Sequence, residues 1–154
     1  MKVLGIRNSN AGIRYSIIEG DNINGCKCLN LNNDNRILLP KGYNDIDLVK
    51  WYKSEIDLLI DKIQPDFIAV KHNENTQSDK YSSLKIVMFM DSIVTLEAAE
   101  KNVPFVSYNY NQIGTNSSTV LKDAEQHFGK SDNYWKKEFA DSLMVAYKII
   151  QNGI

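Results

Sequence analysis

The sequence predicts an α/β fold built on a mixed five-stranded sheet, three antiparallel strands followed by two parallel ones, with helices against its faces. Three observations carry that expectation. The run Lys2-Val3-Leu4-Gly5-Ile6-Arg7-Asn8 is apolar on both faces as far as Arg7, as a strand covered on both sides must be. The turn Ser9-Asn10-Ala11-Gly12 and the alternating Ile13, Tyr15 and Ile17 behind it read as an antiparallel hairpin, with Arg7 at the end of the central strand. Short apolar runs at 67–70 and 103–108 each follow a long helical segment, the spacing that parallel pairing requires of its crossovers.

The other elements follow in order. A third short strand is expected over 25–31, closed by a turn cluster of Asn30, Asn32, Asn33, Asp34 and Asn35. The run 36–39 extends the sheet edge or leads into Pro40. Asn44 caps a helix with Asp47 in its first turn, and Ile46, Val49, Lys53, Ile56, Leu59, Ile60 and Ile63 recur at helical spacing up to Pro65. A buried strand, 67–70, exits into Lys71-His72-Asn73-Glu74-Asn75 and a loop that reaches Lys80. The next helix, 82–101, is apolar at Leu84, Val87, Met88, Ile93, Val94 and Leu96, which predicts burial on more than one side and places Met88, Phe89 and Met90 in the core. After the strand that begins near Pro104, the run Tyr108-Asn109-Tyr110-Asn111 reads as a half-buried turn. A short helix is expected from Asn116-Ser117-Ser118 to Phe128. A last helix is capped by Ser131 or Asp132 and carries the stripe Trp135, Phe139, Leu143, Ala146, Tyr147 and Ile150.

Composition narrows the function classes. The 154 residues are expected to form one domain, 1–154, able to bury about two thirds of its unfolded surface. With 43% hydrophobic and 24% charged residues and a net charge of -1, the chain has the balance of a soluble globular protein and no overall basic footprint for nucleic acid. Arg7 and Asn8 interrupt the opening apolar run, so it does not read as a leader, and no stretch approaches the roughly 20 apolar residues of a membrane span. A cytoplasmic location without membrane contact is expected. Cys26 and Cys28 point to one side of a strand, an arrangement poor for a disulfide, and neither His72 nor His127 is close enough in sequence to complete a metal set. There is no Walker-type phosphate loop, zinc-helix motif or readable nucleophile with a partner.

The order of elements resembles the ribonuclease H-like superfamily, and four phrases resemble its resolvase branch, the RuvC and YqgF-like proteins: Val3-Leu4-Gly5-Ile6, Gln64-Pro65-Asp66-Phe67-Ile68-Ala69-Val70, Ala98-Ala99-Glu100-Lys101-Asn102-Val103-Pro104-Phe105-Val106, and Phe139-Ala140-Asp141-Ser142-Leu143-Met144-Val145-Ala146. The chain is also similar to a small bacterial family of this fold in which a basic residue follows the fourth strand. The resemblance implies a site in which an Asp ends the first strand, a Glu ends the fourth, and two acids three apart sit on the last helix. Convergent carboxylates of that kind hold divalent metals that activate water for phosphodiester cleavage. Carried over, the positions fall on Arg7, Lys71, Glu138 and Asp141, so two acids have become cations.

A guanidinium or ammonium in place of a first ligand repels a metal, and the expected consequence is a site without metal in which Arg7 or Lys71 pairs with Glu138 or Asp141. On a helical wheel Glu138 borders the apolar stripe while Asp141 lies farther round. His72 and Glu74 stand beside the same strand end as candidates for a relocated base or ligand, Lys71, Lys80 and Lys85 as a weaker anion cluster, and His127 near a helix end. The preferred reading is a catalytically degenerate domain acting as a binding or regulatory module, without cofactor, for nucleic acid or another anionic ligand. The alternatives are a nuclease dependent on Mg or Mn that uses Glu138 and Asp141 with Glu74 or Asp79, and a structural or homo-oligomeric protein anchored by Trp51 or Trp135.

Overall fold

The structure is a computed structural model and describes residues 1–74, 81–132 and 136–154. Its elements are β1 (Lys2–Ser9), β2 (Gly12–Asp21), β3 (Gly25–Cys28), β4 (Arg36–Leu38), α1 (Asp45–Ile63), β5 (Phe67–Lys71), α2 (Tyr81–Glu100), β6 (Phe105–Tyr108), α3 (Tyr110–Ile113), α4 (Val120–Phe128) and α5 (Lys137–Asn152). The sheet runs β3-β2-β1-β5-β6, with β4 paired to the other end of β2. Strands β1, β2 and β3 are antiparallel, whereas β5 pairs parallel to β1 and β6 parallel to β5. The edge run at 36–39 thus supplies a sixth, three-residue strand, in register with Gly12 to Arg14.

Strand alternation divides the core into two layers. Val3, Phe67 and Ala69 face α5 and α4, while Leu4, Ile6, Ile68 and Val70 face α1 and α2. The same alternation sends Arg7 and Lys71 to the α5 side of the sheet and Asn8 to the α1 and α2 side. Gly5 fixes how near α5 can come: a Cβ there would lie 2.0 Å from the Ser142 carbonyl oxygen. Ser16 Oγ donates to that same carbonyl at 2.8 Å, which ties the middle of α5 to β2. At this distance α5 is enclosed on nearly all sides, and even Asp141 and Ser142 are buried.

Several sequence expectations need correction. In α1 the side chain of Ile46 is 67% exposed, and Leu48 and Tyr52 take core positions instead. Helix α2 is buried along one face, through Val87, Met90, Ile93, Val94, Glu97 and Ala98, while Met88 and Leu96 stand in solvent. Met88 is therefore not a core residue, because the sheet and α1 together cover too narrow an arc of α2 to reach it. Trp51, a candidate interface anchor, is half-buried against the α1 and α2 layer. Helix α5 begins at Lys137 with no side-chain cap from Lys136, and the Ser131 hydroxyl instead lies 2.8 Å from two acceptors, the Leu31 carbonyl and Asn32 Oδ1. The tyrosine and asparagine turn contains a helical turn, α3, with Asn109 and Gln112 forming a capping box. Trp135, Asp79 and Lys80 lie outside the described residues. No helix of the described residues is long and apolar enough to cross a membrane.

Candidate functional site

At the ends of β1 and β5 the structure assembles two interlocked charge pairs. Arg7 Nε donates to Asp141 Oδ2 at 3.2 Å, Nη2 to Asn73 Oδ1 at 2.9 Å, and Nη1 reaches the Lys71 carbonyl at 3.5 Å. Lys71, 1% exposed, donates through Nζ to Glu74 Oε2 at 2.7 Å and to the His72 carbonyl at 2.8 Å, and its ammonium lies 3.8 Å from the centre of the Tyr110 ring. Tyr110 links the two pairs. Its hydroxyl donates to Asp141 Oδ1 at 2.8 Å and its backbone N–H to Glu74 Oε2 at 3.2 Å.

Each component arrives through its element. Parallel pairing of Ile6 with Val70 brings Arg7 beside Lys71, and the close approach at Gly5 lowers Asp141 of α5 onto Arg7. Pairing of Lys71 with Tyr108 sets α3, and so Tyr110, directly beyond the end of β6. Burial pushes the Asp141 carboxyl above its ordinary range against the pull of Arg7 and the Tyr110 hydroxyl. Burial likewise lowers the Lys71 ammonium, with Glu74 opposing and Arg7 reinforcing the shift. Burial would raise Glu74, but the hydrogen bonds from Lys71 and the Tyr110 N–H prevail and hold it low. Tyr110 keeps its proton, because burial and then the Asp141 charge raise its hydroxyl.

Of the candidates named from the sequence, Arg7, Lys71, Glu74 and Asp141 come together. Glu138 does not join them: it sits half-buried in the first turn of α5, while the carboxylate partners of Arg7 and Lys71 are Asp141 and Glu74. The helical wheel ranks the two acids in the opposite order, because it measures distance from an apolar stripe and α5 has almost no solvent face at Asp141. His72 turns aside, with Nδ1 3.1 Å from Ser107 Oγ; burial, then Lys71, lower the imidazole and keep it neutral near pH 7. Lys85 pairs with Asp45 at 2.6 Å, away from Lys71. His127 packs on the Tyr147 ring at 4.4 Å, remote from the strand ends, and Cys26 and Cys28 are free thiols. Sequence reasoning leaves out Tyr110 and Asn73 as members of the site. The signal for Tyr110 is its place just after the last strand, where polar loops of α/β folds collect.

The arrangement does not fit a divalent cation. Both oxygens of Asp141 already accept hydrogen bonds, from Arg7 and Tyr110, and the bonded oxygen of Glu74 is shared by Lys71 and the Tyr110 N–H. A metal would have to displace or approach two full positive charges for each pair of carboxylates it gained. Among the described residues no group of three or more His, Cys, Asp or Glu gathers closely enough to hold a metal ion.

No protein-family model matches the chain, and a comparison with curated proteins gives no match. Solved structures do. The RuvC of Thermus thermophilus in complex with a Holliday junction substrate is similar with a TM-score of 0.78 at 15% identity, over 96% of this chain and 92% of that one. Another T. thermophilus RuvC structure gives 0.74 at 16% identity with the same coverage. The yeast mitochondrial Holliday junction resolvase Ydc2 gives 0.64 at 16%, over 97% of this chain and 77% of that one. The two-layer core, the β3-β2-β1-β5-β6 order and these neighbours together give the chain a ribonuclease H-like fold, similar in architecture to the RuvC structures.

Proposed function

We propose that this chain is a ribonuclease H-like domain that binds a nucleic acid or another phosphate-bearing partner and does not cleave it. The observation that carries the reading is the pairing of Arg7 with Asp141 and of Lys71 with Glu74 at the strand ends, where the resemblance implies a carboxylate cluster. A site of four acids needs divalent cations to neutralise it, whereas this one is neutralised from within. Metal-activated water is not available to such a centre. The fold survives this change because a paired, hydrogen-bonded charge can remain buried without an ion. Fold alone does not confer activity, so the likeness to junction resolvases supplies the candidate ligand class, branched DNA, and not the reaction. A second copy of the chain is a further candidate partner, through the exposed α2 residues Tyr81, Met88 and Leu96.

The alternative, a metal-dependent nuclease with a rearranged carboxylate set around Glu138, Asp141 and Glu74, is favoured by the same structural neighbours. One experiment separates the two readings. Four-way junction, duplex and single-stranded DNA and RNA are incubated with the chain in magnesium or manganese, and both retardation and strand scission are read. Retardation without scission is expected. Scission that Asp141→Asn or Glu138→Ala abolishes establishes the nuclease, and absence of both signals at moderate salt removes the nucleic-acid assignment.

A further inference from the structure

We propose that Asp91 is a proton-operated coupling between α2 and the Arg7 end of β1. The geometry is a relay of three side chains from three elements. Tyr52 of α1 donates its hydroxyl to Asn8 Oδ1 at 2.6 Å, and Asn8 Nδ2 donates to Asp91 Oδ1 of α2 at 2.8 Å. Asn8 is fully buried, and it is the β1 neighbour of Arg7 on the opposite face of the sheet. The relay has one direction. An ionised carboxylate only accepts, so the Asn8 amide presents its N–H to Asp91 and its oxygen to the Tyr52 hydroxyl, which burial and then the Asp91 charge keep protonated. A proton therefore enters on Asp91 Oδ2, the oxygen that Asn8 does not occupy.

The charge around Asp91 is unlike that of the other two acids near the strand ends. Asp141 is matched by Arg7 and Glu74 by Lys71, but no cation lies within ion-pair distance of Asp91 among the described residues. On its own side of the sheet Asp91 meets Tyr52 of α1, while Arg7 of β1 and Lys71 of β5 act on it from the other side at the strand ends; β6, also packed on α2, has no charged side chain. Burial outweighs the Asn8 hydrogen bond and the distant pull of Arg7 and Lys71, and pushes the Asp91 carboxyl up to about 6. Asp91 therefore goes from mostly protonated at pH 5 to mostly ionised at neutral pH. Proton uptake weakens the hydrogen bond from Asn8, which loses its charged acceptor, and relieves the burial of an unpaired carboxylate.

The sign for stability follows from the raised value. Between the ordinary 3.8 and about 6 the unfolded chain releases this proton and the folded chain keeps it, so Asp91 makes the fold lose stability as pH rises through that window, with no further loss above it. The coupling belongs to the chain alone and goes beyond the binding reading, so its test needs no ligand. The Asn8 side-chain amide protons, followed by NMR from pH 4.5 to 7.5, are expected to shift with a midpoint near 6 in the native chain, and Asp91→Asn is expected to abolish the shift. Thermal denaturation supplies the second measurement: Asp91→Asn raises the Tm by about 5 °C at pH 7.5 and leaves it nearly unchanged at pH 4. A flat Asn8 signal in the native chain, or a midpoint below about 4.5, overturns the proposal without reference to any variant. An Asp91→Asn profile parallel to that of the native chain overturns it equally.

Discussion

Asp141 shows what a single side chain contributes here. It is 1% exposed, and Arg7 and the Tyr110 hydroxyl each take one of its oxygens, opposing the burial that pushes its carboxyl up. Removing Arg7 leaves that carboxylate buried beside one neutral donor, so Arg7→Ala is expected to cost about 3 kcal/mol in urea denaturation at pH 7. The double substitution Arg7→Met with Asp141→Leu removes both charges together and is expected to recover most of the loss, since apolar side chains of similar volume replace a buried ion pair at little cost. If the two single losses simply add in the double variant, the pair is not coupled. The sequence already exposes the inversion of charge at Arg7 and Lys71, because strand ends can be located from apolar runs. It does not show which acid pairs with which cation. Asp141 and Glu138 share the last helix, and only the depth of α5 in the molecule selects between them.

At the scale of elements, the fit of α5 on the sheet decides whether the site exists. Gly5 permits this fit, and Gly5→Ala would place a methyl 2.0 Å from the Ser142 carbonyl and 2.7 Å from Ser16 Oγ. Backbone must give way, so a loss of about 3 kcal/mol is expected, together with weaker pairing of Arg7 to Asp141 as α5 lifts. Chemical denaturation measures the first, and the shift of the Arg7 Nε–H resonance the second. Periodicity served best where an element has one buried face or two fully covered ones. Strands β1 and β5 and helix α1 were legible for that reason. It served less well for α2, whose apolar residues surround the helix although only one face is covered, and for the start of α5, where Ser131 bonds to the loop at Leu31 and Asn32 instead of capping a helix. Strand β4 rests on three residues paired to β2, and the run 36–39 alone leaves that edge strand and a lead into Pro40 equally open. Tyr110 and Asp91 escaped for a related reason: each becomes part of the strand-end region through tertiary contacts, from a turn and from a helix otherwise read as core.

The whole molecule joins a ribonuclease H-like frame to a centre that balances its own charge. Two layers of core hold β1 between β2 and β5, so the ends of β1 and β5 cannot separate without disturbing both layers. Helices α1 and α2 are further clamped at the far end of the sheet by Lys101 with Asp57 and Asp61, and by Lys53 with Glu97 and Glu100. Such a frame holds the pairs at the strand ends in place whether or not a partner is bound. It also makes the charge inversion open to direct measurement by calorimetric titration of the chain with manganese at pH 7.5, beside the variant that combines Arg7→Asp with Lys71→Glu. The native chain is predicted to give no saturable heat, and the variant, with carboxylates returned to both strand ends, to bind the ion. Saturable binding by the native chain that Asp141→Asn removes would contradict the account.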